Sequence, residues 1–135
     1  MTIIVTDTGF APDTWTQGFT PLAEADSDSI AIEVAPADSV ETLLADHPAV
    51  QIIRITFPSF ADGRGFTPAR RLRALGYTGR LRAAGHLIAD QYAMARRSGC
   101  DEVEISDDLA ARQPQEQWVF RADWQDHDYQ RRLRA

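Results

Sequence analysis

After residue 30, strand-like and helix-like segments alternate four times with short connections. Such alternation predicts an α/β fold built of parallel βαβ units. A second observation narrows it. The middle of each strand carries a charge, at Glu33, Arg54, Arg82 and Glu104. A sheet covered by helices on both faces should read as nearly continuous apolar sequence. A four-unit (β/α) layer with helices on one face and a polar row on the other, half-barrel-like, fits better. The third observation is the stretch before Asp28, rich in Asp, Thr, Pro and Gly, which reads as an irregular N-terminal arm packed onto the body.

Taken in order, Ile3–Thr6 is a short strand, and Trp15, Phe19 and Leu22 are isolated apolar anchors of the arm. Residues 30–34 suit the first core strand. Asp38 with Glu41 has the form of a capping box before Val40, Leu43 and Leu44, so a helix should run to about His47. Residues 50–57, dense in β-branched side chains, form the clearest strand. Thr67 is placed as a hydroxyl N-cap and Pro68 at the first helical position, with Ala69, Leu72 and Leu75 as the buried stripe. Gly76 and Tyr77 have the order of a Schellman ending. Residues 80–84 make the third strand, and a helix from about His86 to Ser98 follows, buried through Leu87, Ile88, Met94 and Ala95. Residues 102–106 are the fourth strand, and Ser106 or Asp107 caps a last helix that Pro114 interrupts. The chain reads as one domain: arm 1–29, βα core 30–113 and tail 114–135.

Composition removes several function classes. All 14 basic residues are arginine, so Schiff-base chemistry and a P-loop lysine are excluded. The net charge of -6 argues against a general nucleic-acid binder. That charge is unevenly placed, because nine of the arginines fall between residues 51 and 100. No apolar run approaches the roughly 18 residues of a membrane helix, and no signal peptide is apparent, so a cytoplasmic location is expected. The single Cys100 cannot form an internal disulfide or a thiolate metal cage.

Parallel α/β sheets bind ligands beyond the carboxyl ends of their strands. Three connections there carry chemistry: Phe60–Phe66, then Gly85 and His86 with Asp90 and Gln91, then Ser106, Asp107 and Asp108. One reading is a small-anion site formed by Asp62, Gly63, Arg64, Gly65, Thr67 and Gly85, with Arg54 and Arg82 below. The competing reading is an ordinary βα turn, with Asp62 on backbone amides and Arg64 on a carboxylate of the arm. The Gly-x-Gly pattern alone favours the ordinary turn. His86 and Asp90, four apart, are weak candidates for an acid/base pair on one helical face. Cys100 reads as a buried filler rather than a nucleophile. Asp123, Asp126, His127 and Asp128 match no standard metal spacing, and no metal site is expected. Trp118, Phe120, Trp124 and Tyr129 read as anchors of the tail to the core or to a neighbouring subunit.

One long run carries a resemblance. Residues 57–70 (FPSFADGRGFTPAR), then Leu72-Arg73, Gly76-Tyr77, Gly79, Leu81-Arg82-Ala83 and Gly85, with Asp90-Gln91, Gly99 and a late Tyr129-Gln130, resemble the DUF934 family. The match is specific from about 50 to 106. The family is bacterial, is commonly labelled an oxidoreductase of sulfite reduction, and tends to occur beside genes of assimilatory sulfate and sulfite reduction. This sequence departs from it with His86 where the family often has an acid, and Ser98 where it often has a cysteine.

The resemblance implies a sulfur oxyanion at the 62–67 loop and an accessory role beside sulfite reductase or other sulfate-assimilation proteins. Cofactor identity stays open, since the sequence has no Gly-x-Gly-x-x-Gly fingerprint, thiolate cluster or convincing flavin platform. The alternatives are a stand-alone oxidoreductase acting on a sulfur oxyanion or a phosphorylated metabolite, and a structural assembly module. A homo-oligomer, in the simplest case a homodimer, is expected.

Overall fold

In the computed structural model, residues 2–15, 17–58 and 63–122 are described. Alternation of apolar and polar side chains sets the sheet. In the strand Ile52–Phe57 (β5), Ile53, Ile55 and Phe57 are buried on one face while Arg54 and Thr56 turn to the other. The same two-residue period orders Ala31–Val34 (β4), Arg80–Gly85 (β6) and Glu102–Ser106 (β7). Thr2–Thr6 (β1), Gly9–Pro12 (β2) and Thr20–Pro21 (β3) complete a seven-stranded sheet of order β2-β1-β7-β6-β5-β4-β3. From β3 to β7 all pairings are parallel, whereas β1 lies antiparallel to both β7 and β2. The sheet is open and does not close into a barrel.

Because β4, β5, β6 and β7 lie side by side in chain order, right-handed crossovers bring every intervening helix to the same face. The helices Leu43–Asp46 (α1), Phe66–Ala74 (α2), Tyr92–Arg97 (α3), Asp107–Arg112 (α4) and Gln115–Val119 (α5) follow the strands. One apolar core joins Ile53, Ile55, Leu81 and Val103 of the sheet to Leu43, Leu72, Ala95 and Trp118 of the helices. Trp118 is the largest fully buried side chain among the described residues, so α5 packs into the core. Its indole N–H donates to the Gln113 carbonyl, and its ring meets Tyr92 edge-on. Among the described residues no helix is long and apolar enough to cross a membrane.

Gly76, at φ +102°, ends α2 as a Schellman motif, with Tyr77 N–H on Leu72 O and Gly76 N–H on Arg73 O. Ser106 caps α4 by accepting from Leu109 N–H, and Pro114 separates α4 from α5. Three helix starts differ from the sequence expectation. Asp38 turns back to accept from Ala35 N–H and Glu41 pairs with Arg71, so no capping box forms and α1 is a single turn. A 3-10 turn at Gly63–Gly65 leads directly into α2, which places Thr67 inside the helix rather than at its cap. The segment after β6 stays extended at Ile88, and helical structure begins with a 3-10 turn at Ala89–Gln91 before α3. Tyr92, not the exposed Met94, therefore faces the core.

The N-terminal arm is more ordered than its composition predicts. β2 forms one edge of the sheet and β3 the other. The intervening chain must cross the polar face, and its side chains mark the crossing. Asp13 reaches Arg82, Thr14 reaches Arg80, and Phe19 lies over Arg54.

Candidate functional site

The four mid-strand charges do share one face, and the register shows how. Glu33 lies opposite Arg54, Arg54 opposite Arg82, and Arg82 opposite Glu102. Glu104 sits one step along the same face and accepts from Arg82 Nη1 at 2.7 Å and from Arg54 Nη1 at 3.3 Å. Arg82 also donates from Nε to Glu102 at 2.7 Å and from Nη2 to Asp13 at 3.0 Å. Arg54 binds Glu33 at 2.8 Å, and Arg80 binds Glu102 at 2.7 Å. Phe19 caps the row, with its ring centroid 4.1 Å from the Arg54 guanidinium and 5.7 Å from that of Arg82.

These contacts fix the charge states. Burial alone would lower the Arg82 pKa, but bonds to Asp13 and the charges of Glu102 and Glu104 raise it above the ordinary value. Burial would raise Asp13, yet the bonds from Arg82 and the Trp15 amide hold it below the ordinary carboxylate range. Among the described residues, three cations, Arg54, Arg80 and Arg82, face four anions, Asp13, Glu33, Glu102 and Glu104. Arg82 is completely buried. Arg54 and Arg82 were expected beneath an anion loop. They are instead committed to carboxylates in mid-sheet, where a further anion would meet a row already in acidic excess.

The carboxyl ends of β6 and β7 open into a cleft of about 800 Å³. Gly85 and His86 line one side, and Ser106, Asp108, Arg112 and Gln113 the other. Ile88, Ile105 and Leu109 supply apolar surface, and Glu104 connects the cleft to the arginine row. Gly85 is required at its position. Its φ is +116°, and a Cβ there would stand 2.5 Å from the Phe57 carbonyl oxygen. The same carbonyl accepts from His86 N–H, which fixes where the His86 side chain leaves the sheet. Gln113 Oε1 accepts from Ala89 N–H and so ties the two sides of the cleft together. Among the described residues, the His86 ring and the Arg112 guanidinium make no hydrogen bond or ion pair, so both remain available to a ligand.

Two of the three connections singled out from the sequence thus meet at one cleft. For the third, Asp62 lies outside the described residues, Gly63–Gly65 forms the turn that starts α2, and Arg64 and Thr67 are exposed. Gly65 packs against Phe57, whose ring a Cβ would strike at 2.5 Å, so this glycine serves close packing. His86 and Asp90 are not brought together as a pair. Their spacing meets only on a helix, and the extended chain at Ile88 sends Asp90 to Arg121 at 2.8 Å. Arg112 and Gln113 were not singled out, because a helix-end arginine followed by glutamine has no distinctive pattern.

Cys100 is buried, and burial pushes its thiol up to about 12, so it is protonated at neutral pH and unsuited to nucleophilic chemistry. The arginines of α2 divide their tasks. Arg73 is a structural clamp on the carbonyls of Gly99, Tyr77 and Gly79, Arg71 pairs with Glu41, and Arg70 contacts the Met94 sulfur. Phe120 is exposed, while Trp124, Tyr129 and the acidic cluster Asp123, Asp126, His127 and Asp128 lie outside the described residues. No group of three or more metal-ligating side chains occurs among the described residues.

Fold and site together define an open, one-sided α/β sheet protein whose cleft lies where parallel sheets hold their ligands. The chain belongs to the DUF934 family, described as a bacterial protein of unknown function, whose model matches residues 31–135. The match begins at the first residue of β4, so the hairpin and the strap that cross the polar face precede it. No curated protein and no solved structure matches the chain.

Proposed function

We propose that this chain is an accessory protein of assimilatory sulfite and sulfate reduction that holds a small oxyanion in the cleft beyond β6 and β7. The observation that carries the site is that His86, just after β6, and Arg112, at the end of α4, line one cleft and make no hydrogen bond or ion pair among the described residues. A guanidinium offers paired N–H donors that match two oxygens of a tetrahedral or pyramidal oxyanion. Imidazole adds a donor from the opposite wall, and the Gln113 amide nitrogen a further one, its oxygen being used by Ala89. Arg64 stands on the adjacent connection, in the 3-10 turn that leads into α2, outside the lining of the cleft. The sulfur assignment rests on the resemblance of residues 57–85 to the family.

The reading is tested at two levels. Titration with sulfite, sulfate and phosphate, followed by amide chemical shifts, should perturb residues 85–88 and 106–113, and Arg112→Ala should abolish the response. If Arg64→Ala abolishes it and Arg112→Ala does not, the site is the loop before α2 and not the cleft. A deletion strain should lose growth on sulfate but not on cysteine, and normal growth on sulfate would remove the pathway assignment. Co-purification with sulfite reductase under native expression would support the accessory role.

A further inference from the structure

Resting on the anion reading of the cleft, we infer that its ligand is an organic sulfate or phosphate, an oxyanion carried on an apolar-faced body, and not a bare inorganic ion. Size is the first ground. A tetrahedral oxyanion displaces on the order of two or three waters, at about 30 Å³ each. The cleft encloses about 800 Å³, within the range of pockets that take molecules of drug or nucleotide size. A bare ion would leave most of that space as water and would gain nothing from the walls.

Lining is the second ground. Ile88 and Leu109 are half-buried and Ile105 is buried, and all three border the cleft. An inorganic anion has no use for such surface, whereas a ring or short carbon chain laid on Ile88 and Leu109 would remove apolar area from water. The polar groups are consistent with this division. Ser106 Oγ is spent on capping α4, and Glu104 is held by Arg54 and Arg82. Among the described residues, the groups left for a ligand are the donors of Arg112, His86 and Gln113, the Thr2 hydroxyl and the carboxylate of Asp108. Asp108 would repel a lone anion but accepts a hydrogen bond from a hydroxyl or amine on an organic body. One anionic head at Arg112 and His86, an apolar middle on Ile88 and Leu109, and a donor to Asp108 would use both the charged and the apolar parts of the cleft.

The test compares inorganic sulfate and phosphate with phenyl sulfate and adenosine 5′-monophosphate by calorimetry, on wild type, Arg112→Ala and Ile88→Ala. Thermal melts first establish that both variants are folded. At least one organic ligand should bind about tenfold or more tightly than its inorganic counterpart. Arg112→Ala should weaken every ligand by about tenfold or more, the size of a lost charge-assisted contact. Ile88→Ala should weaken the organic ligands and leave the inorganic ions unchanged. Inorganic ions binding as tightly as the organic ones, or Ile88→Ala without effect on either, overturns the inference and leaves the anion site standing. Binding unaltered by Arg112→Ala, or absent for all four ligands, overturns the anion site itself.

Discussion

Replacing Arg82 by methionine tests the polar row most directly. The side chain is fully buried and donates to three carboxylates, Asp13, Glu102 and Glu104. Methionine keeps much of the volume but leaves those acids without their shared cation. The loss is moderated because Glu102 retains Arg80 at 2.7 Å, Glu104 retains Arg54 at 3.3 Å, and Asp13 retains the Trp15 amide at 2.8 Å. Removing one partner from a buried ion pair costs about 3–5 kcal/mol, and these remaining bonds put Arg82→Met near the lower end, at about 3 kcal/mol. For a domain of this size each kcal/mol lowers Tm by about 4 °C, so a fall of about 12 °C is expected at pH 7. Calorimetric melting of wild type, Arg82→Met, Asp13→Asn and the double variant gives both the total and the coupling between the strap and the sheet. Arg82→Met melting within about 3 °C of wild type, or strictly additive effects in the cycle, would refute the network described here.

Other perturbations have equally definite outcomes. Asp13 has a carboxyl held below 3.8, so its contribution is present above that pH and lost as pH falls through its lowered folded value; the Tm gap between wild type and Asp13→Asn should narrow on acidification below pH 4. Gly85→Ala combines a left-handed φ with a backbone clash and should cost about 2–3 kcal/mol in chemical denaturation, with loss of any ligand response at the cleft. The Cys100 thiol should resist a disulfide reagent in the native protein at pH 8 and react at once in denaturant, whereas rapid native labelling would contradict its burial. Ser106→Ala removes the N-cap of α4 and should cost about 1 kcal/mol.

What the sequence reveals follows the range of the interactions involved. β1, β4, β5, β6 and β7 are legible as short apolar runs of four to six residues, and in β4, β5, β6 and β7 a charged side chain sits among the apolar ones. β2 and β3 are not, since Phe10 is held by Gln115, 105 residues on, and Thr20 and Pro21 are strand only through pairing with Ile32 and Glu33. The shared polar face could be read from Glu33, Arg54, Arg82 and Glu104, but the in-register role of Glu102 needed the β6–β7 pairing. Helix starts were misplaced where a side chain had a distant alternative, as Glu41 has in Arg71. At the cleft, Gly85, His86, Ser106 and Asp108 follow from the rule that ligands gather at strand ends. Arg112 and Gln113 lie a helix away, and Asp13 is joined to Arg82 across 69 residues, a distance that no local pattern spans.

The strap also imposes an order of assembly. β1 pairs with β7, whose residues lie far along the chain, so Ile3 and Val5 are covered only when Ile105 and Val103 come in beside them. Until then those apolar residues and the unpaired edge of β1 stay open to other chains, so this long-range pairing is the step at which the folding chain is most exposed to aggregation.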